Sequence, residues 1–276
     1  MAVDKLVDST QLDSDLTDVA NAIRAKSGGS SQLAFPSGFI SEIGNISGGG
    51  GLPDWYSKIS TGTVGYNFSS VTFTGDVVID LGTNPVKEFS VNQANATVAG
   101  SSLEIKCGNL AFATGAFGGP GSGTLTKANL DTIILSCANN PSVTSQICRR
   151  TRFAKILGKP FLCTSFGSGN YKRFDSTVLK EFYLVPNKVT AGEGGINTAV
   201  LEDASLVSVA NALSGTATGQ TLTISNATTK AKCDTIMGTV SQVTEGGETY
   251  DFFTQDASGT VSLRSFITTT KGWTLA

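Results

Sequence analysis

Leu179-Lys180-Glu181-Phe182-Tyr183-Leu184 is the stretch that decides how this chain folds, because its pattern recurs. Val86-Lys87-Glu88-Phe89-Ser90-Val91 and Leu130-Asp131-Thr132-Ile133-Ile134-Leu135 have the same shape, and Phe153-Ala154-Lys155-Ile156-Leu157 is a looser copy. The copies start at 86, 130, 153 and 179, so their spacings are 44, 23 and 26 residues. The first gap is close to two units of 22, and Leu103-Glu104-Ile105 marks the copy inside it, out of register with the others. Alternating apolar residues make each copy a short strand. One strand every 20–29 residues or so is the period of a leucine-rich-repeat solenoid, in which the apolar ladder faces the core and the strands stack in parallel. A β-sandwich of unrelated alternating strands is the competing arrangement.

The alternation also extends toward the N-terminus through Val64, Tyr66 and Phe68, then Val71 and Phe73, then Val77, Ile79 and Leu81. After Gly192-Glu193-Gly194-Gly195 the pattern changes. Leu206, Val209, Ala210 and Leu213 have helical spacing within 201–213, and Thr221 to Ile224 reads as a strand. Ala227 to Met237 predicts a second helix with Cys233 and Ile236 inward. Tyr250 to Phe253 and Val261 to Leu263 predict a hairpin joined by Asp256 to Gly259, and Lys271 to Ala276 a closing strand. The open end of a solenoid has to be covered, and this mixed block suits a cap.

Residues 9–26 predict an amphipathic helix, with Leu12, Leu16, Val19 and Ile23 on one face. Asp13, Asp15 and Asp18 lie toward its start, Arg24 and Lys26 toward its end, and Gly28-Gly29 stops it. A second short helix follows, with Phe35, Phe39 and Ile43 at helical spacing and Pro36 in its first turn. About forty residues with two such faces cannot build an independent core. They are expected to pack on the rest of the chain, on copies of themselves or on another protein. Leu12, Leu16, Val19, Ile23, Phe35, Phe39 and Ile43 are therefore the candidate assembly interface. The chain reads as a β-rich α+β protein: a helical anchor module over 1–47, a Gly-rich hinge over 48–52, a leucine-rich-repeat-like body over 53–190, and a mixed α/β cap over 191–276 with an inserted hairpin.

Composition narrows the function. Among 276 residues, 20 Lys+Arg face 22 Asp+Glu, a formal net charge of −2, which argues against nucleic acid as the partner. Only 15% of the residues are charged and 32 are Gly, a surface chemistry that suits repeat folds and virion parts better than cytosolic enzymes. There is no His, which excludes Ser-His-Asp and Cys-His catalysis and His-ligated metals. Cys107, Cys137, Cys148, Cys163 and Cys233 include no CxxC pair and read as buried free thiols, with no metal and no cofactor. No run of eighteen apolar residues predicts membrane insertion. The opening MAVDKLVDSTQLD lacks a basic then apolar leader, so the expectation is a protein without a signal peptide, made and folded in a cytoplasm.

Several motifs are set aside. Gly118 to Thr124 is rich in glycine but has Thr124 where a phosphate-binding loop needs Lys. Gly167-Ser168-Gly169 has the wrong outer spacing for a nucleophile elbow. The basic run Arg149, Arg150, Arg152, Lys155 and Lys159 could grip an anion, but reads first as a solvated or salt-bridged face. Glu193, Glu202, Asp203, Asp251 and Asp256 are the carboxylates a glycosidase would draw on, and nothing fixes two of them at a set separation. Trp55, Tyr66, Tyr171, Tyr183 and Trp273 could stack on sugars, or fill core and subunit interfaces.

Two stretches carry a resemblance. DSTQLDSDLTDVANAIRAKSGGSSQLAFPSGFISEIGNI, residues 8–46, resembles the N-terminal module that opens many tail-fibre, baseplate and other virion proteins of phages and prophages of Gram-positive gut bacteria, above all in ANAIR and FPSGF. LKEFYLVPNKV, LEDASLVSVANAL, TGQTLTIS and KGWTLA, in that order, are similar to the C-terminal end of BspA-like leucine-rich-repeat proteins. The segment from Val240 to Phe266 departs from the latter as an insertion and is a candidate contact element. The resemblance implies a non-enzymatic virion component, placed first at a tail fibre or baseplate, with a head fibre or capsid decoration, or a glycan-binding recognition module, as alternatives. Other virion proteins would be bound through the N-terminal module, copies of the chain would form a homo-oligomer with a trimer as first choice, and a host cell-surface glycan or protein would be the outer partner. The implied location is the virion, and no catalytic residue is carried over.

Overall fold

The computed structural model describes residues 9–27, 32, 33, 39, 67–119, 126–144, 146–167, 173–192, 194–217 and 219–276. The chain divides into two compact units, 1–61 and 62–276.

In the first unit, α1 (Ser9–Ser27) forms where periodicity places it. Ala20 and Ile23 are buried with Phe39, and Leu16 and Leu33 pack against them half-buried. Leu12 and Val19 remain 46% and 50% exposed. The buried stripe is therefore Leu16, Ala20 and Ile23, rotated away from the four-residue face the spacing suggests. A small side chain at position 20 lets Phe39 approach closely, and Val19 is left outward. No acidic residue lies in the first turn of α1, so its aspartates start one turn later than dipole matching expects. Phe35, Ile43, the hinge over 48–52 and the start of the body over 53–66 lie outside the described residues.

The second unit runs β1 (Thr72–Phe73), β2 (Val77–Asp80), β3 (Val86–Phe89), β4 (Asn95–Ala96), β5 (Ser101–Cys107), β6 (Leu110–Phe112), β7 (Leu130–Cys137), β8 (Lys155–Gly158), β9 (Phe174–Ser176) and β10 (Ile196–Thr198). It continues through α2 (Asp203–Ala212), β11 (Thr221–Leu222), α3 (Ala227–Thr235), β12 (Met237–Glu245), β13 (Glu248–Gln255), β14 (Val261–Ser262) and β15 (Thr274–Leu275).

The main sheet has the order β2-β5-β7-β8, all parallel. Val77 pairs with Leu103, Leu103 with Ile133 and Ile133 with Ile156, and a further parallel bridge joins Lys155 to Glu181. Shorter parallel ladders join β1 to β4, β3 to β6 and β9 to β10, and isolated parallel bridges run from Asn67–Ser90 to Ile196–Ile224. Neighbouring chain segments one coil apart thus stack in parallel along several lines. That is a β-solenoid of about four turns, not an antiparallel sandwich.

The copies starting at 130, 153 and 179 stack in the register their sequences suggest, since Thr132 pairs with Lys155 and Lys155 with Glu181. Two expectations are corrected. Leu103 and Ile105 are in register, opposite Ile133 and Leu135, and among the described residues the first rung of this sheet is Val77–Asp80. Val86–Phe89 belongs to a different line of the coil and pairs with β6. Alternation is common to every ladder of a coil, so pattern alone does not say which ladder a strand joins.

Inside, phenylalanines run the length of the coil. Ring centroids are 6.0 Å apart for Phe68–Phe89, 6.4 Å for Phe89–Phe112, 5.7 Å for Phe112–Phe161, 6.2 Å for Phe161–Phe174 and 4.4 Å for the stacked Phe174–Phe182 pair. Asparagine amides extend the hydrogen-bond ladders where strands stop. The Asn129 N–H donates to Asn95 Oδ1 while Asn129 Nδ2 donates to the Ala96 carbonyl, and Asn139 bonds both the N–H and the C=O of Leu110.

The last rung would expose unpaired amides, an invitation to edge-to-edge pairing. Instead α2 lies across it: the Phe182 and Leu184 N–H groups donate to the Ser205 and Ser208 hydroxyls at 3.2 and 2.9 Å. β15 pairs in parallel with β11, and the Trp273 indole, 2% exposed, donates to the Ser214 carbonyl at 2.9 Å. Cys233 on α3 and Ile236, the extended residue that caps it, are both buried, as expected, although the helix ends at Thr235 rather than Met237. The hairpin is a correction: β13 pairs antiparallel with β12, Glu245 opposite Glu248, and β14 pairs with β12 on its other side. Gly246 and Gly247 have φ of 57° and 81°. This two-residue turn, left-handed at both positions, matches the strand twist and prevails over the longer Asp256–Gly259 connection.

Candidate functional site

A cleft of ≈ 550 Å³ opens between α2, β13 and the solenoid edge. Its walls include Pro160, Tyr183, Pro186, Val207, Phe252 and Gln255. α2 brings Val207 there because it crosses the last rung. β13 brings Phe252 there because Asn211 grips the strand beside it, donating from Nδ2 to the Phe253 carbonyl (2.9 Å) and accepting the Phe253 N–H on Oδ1 (2.7 Å).

Beside the cleft lies a charged cluster. Lys155 Nζ is 2.7 Å from Glu181 Oε2 and 3.2 Å from Glu202 Oε1, and the Tyr183 hydroxyl donates to Glu181 Oε1 at 2.7 Å. Lys155 and Glu181 meet because they are facing residues on successive rungs. The hydrogen bonds that Lys155 donates to Glu181 and Glu202 raise its pKa. Burial works against ionisation of Glu181, but the bonds from Lys155 and Tyr183 outweigh it and hold the carboxyl below its usual value. The bond to Glu181, with burial, pushes Tyr183 up to about 12. At neutral pH these shifts keep Lys155 and Glu181 charged and Tyr183 neutral.

A second cleft, ≈ 430 Å³, lies along the same hairpin and is lined by Lys188, Thr190, Ser214, Thr216, Glu248 and Thr249, among others. Lys188 and Glu248 form an ion pair across it at 2.8 Å. The inserted segment thus walls both clefts. Under it, Lys271 is only 1% exposed. Its Nζ donates to the Asp251 carbonyl at 2.7 Å and lies 5.2 Å from the Phe266 ring centre and 5.7 Å from that of Tyr250. Burial lowers its pKa to about 8.

The residues singled out in the sequence are placed as follows. Of the carboxylates, Glu202 joins the Lys155 cluster, Asp203 pairs with Lys232 at 2.8 Å, Asp251 offers its backbone carbonyl to Lys271, and Asp256 accepts from Ser258 in its own turn. Of the aromatics, Tyr183 lines the first cleft and Trp273 is core. Of the basic run, Arg149 and Arg150 line a small pocket with Asn92 and Gln146, Arg149 donates to Gln146, Arg152 donates to the Thr126 carbonyl, and Lys155 is held by its carboxylates. Glu193, Ser168, Tyr171, Trp55, Tyr66 and residues 120–124 lie outside the described residues. Phe252 and Lys271 were not singled out. The paired glycines at 246–247 are the signal that could have located Phe252, since they set the strand that carries it.

All five cysteines are buried free thiols. Burial pushes Cys107 and Cys233 up to about 11 and Cys163 to about 12, and raises Cys137 and Cys148 as well. Among the described residues no group of three or more His, Cys, Asp or Glu side chains could hold a metal, and no helix is long and apolar enough to cross a membrane. Fold and clefts together define a capped β-solenoid with a grooved end. No family model, curated protein or solved structure matches the chain.

Proposed function

We propose that this chain is a non-enzymatic structural component of a bacteriophage virion, a tail-fibre or baseplate-associated protein held by its N-terminal unit and presenting its solenoid cap to the host surface. The observation that carries the reading is the division into a small helical unit and a separate β-solenoid, with Leu12 and Val19 of α1 exposed. Two large aliphatic side chains exposed on one helix suit a partner's surface. The resemblance of residues 8–46 to virion-protein modules supports that partner being another virion protein, and the leucine-rich-repeat kinship of the coils belongs to the same reading. Leu12 and Val19, seven residues apart on the exposed side of α1, suit packing against a copy of the same helix, and the oligomer is proposed as a trimer. A head fibre or capsid decoration is the alternative position.

The test exploits the exposed pair. Leu12→Asp combined with Val19→Asp removes no buried contact, so the variant is expected to keep its thermal midpoint and lose about tenfold or more in copies sedimenting with particles. Undiminished incorporation would contradict an anchoring role for this helix face.

A further inference from the structure

We propose that the cleft bounded by Tyr183 and Phe252 binds a neutral pyranose unit of a surface saccharide. This rests on the reading of the chain as a host-facing virion protein and gives that reading a site.

The cleft's own chemistry selects the ligand. Pro160, Pro186, Tyr183 and Phe252 supply rigid, flat apolar surfaces, and such surfaces accept the C–H face of a sugar ring through dispersion and the ring quadrupole. The polar groups of the floor are already engaged: Asn211 with both backbone groups of Phe253, and Ser208 with the Leu184 N–H. Hydrogen-bond capacity is concentrated at the rim, where the side chains of Thr254 and Gln255 are exposed. An apolar floor with acceptors around its edge suits a ligand with one C–H face and a hydroxyl perimeter. The volume lies within the range of roughly 300–1,000 Å³ usual for small-ligand sites.

Two other occupants fit less well. An anionic ligand would need an uncompensated cation, and Lys155 is shared between Glu181 and Glu202. A peptide adding as a strand would need a free edge on β13, yet the side of β13 that faces away from β12 is closed: Phe253 bonds Asn211 and the Asp251 carbonyl takes Lys271. Phe252 itself is half-buried at the wall, while its neighbour Phe253 is packed into the cap, 5.4 Å from the Phe266 ring.

The experiment uses the purified full chain with maltotetraose, chitotetraose and a galactose tetrasaccharide, read by saturation-transfer NMR and calorimetry. At least one is expected to bind, with the ring C–H protons saturated most strongly. Phe252→Ala is expected to weaken binding about tenfold and Val207→Trp, which fills the cleft, to abolish it, while Lys188→Ala in the second cleft leaves it unchanged. Thermal midpoints show that each variant is folded. Binding that survives both cleft substitutions overturns the proposal. So does the absence of binding to all three sugars; if the protein still joins particles, that result leaves the virion reading standing. A leucine-rich test peptide that binds in a Phe252-dependent way when no sugar does overturns it in favour of a protein partner.

Discussion

Phe174→Ala is expected to reduce the unfolding free energy by about 3–5 kcal/mol. The ring is fully buried and stacked on Phe182 at 4.4 Å, and it also meets Phe161 at 6.2 Å and Phe166 at 6.5 Å. Phe161 and Phe166 lie on the same coil as Phe174, between the facing rung residues Lys155 and Glu181, and Phe182 opens the next coil, so truncation opens a cavity inside one coil at its junction with the next. In a solenoid each coil is held mainly by its neighbours, and a defect in the middle uncouples the coils on either side. Against a total stability of about 5–15 kcal/mol for a domain, the loss is large. Urea unfolding should show a lower midpoint with little change in slope, whereas Val98→Ala, at a position 57% exposed, should stay within about 0.5 kcal/mol of the parent. A loss below about 1 kcal/mol for Phe174→Ala would mean that the phenylalanine column is not what binds the coils.

The second large effect is alkaline. In the unfolded chain the thiols ionise near their ordinary value of 9.0, whereas in the fold Cys107 and Cys233 hold their protons to about 11 and Cys163 to about 12. A raised folded value contributes stability that is complete below pH 9 and is lost as pH climbs through the folded value, at about 1.4 kcal/mol per unit for each thiol. Tyr183, raised from 10.0 to about 12, acts in the same direction above pH 10. Lys271 acts oppositely: lowered from 10.5 to about 8, it releases its proton first in the native state, so its contribution improves between pH 8 and 10.5. One lysine is outweighed by several thiols. The thermal midpoint, measured under reducing conditions, should therefore be flat or slightly rising to pH 9 and fall steeply between 9.5 and 11. At pH 8 the native protein should be inert to a thiol reagent that modifies all five cysteines in urea. A midpoint unchanged to pH 11, or stoichiometric labelling of the native state, would contradict the buried environment of these thiols.

Much of the solenoid was legible because stacked coils repeat register as well as pattern. Leu130, Phe153 and Leu179 begin copies whose third residues, Thr132, Lys155 and Glu181, stand in one line. The same alternation misled at Val86, since a strand on another line of the coil carries the same signal. The cap helices were recognisable from spacing, while the hairpin was not, because two glycines at 246–247 outweighed a longer loop with stronger turn composition. The clefts were invisible for a different reason. Pro160, Tyr183, Val207 and Phe252 come from separate coils, a helix and a returning strand, and the Asn211–Phe253 bonds hold the last of these against the others. On α1, an alanine at position 20 is too small to dominate a hydrophobic pattern, yet it sets which face is buried.

Immunogold labelling of intact phage particles with an antibody against residues 62–276 tests the central claim most directly. The account predicts label at the tail tip or baseplate, and label over the head would move the protein to a head fibre or decoration. Particles that carry no label anywhere would contradict the virion assignment.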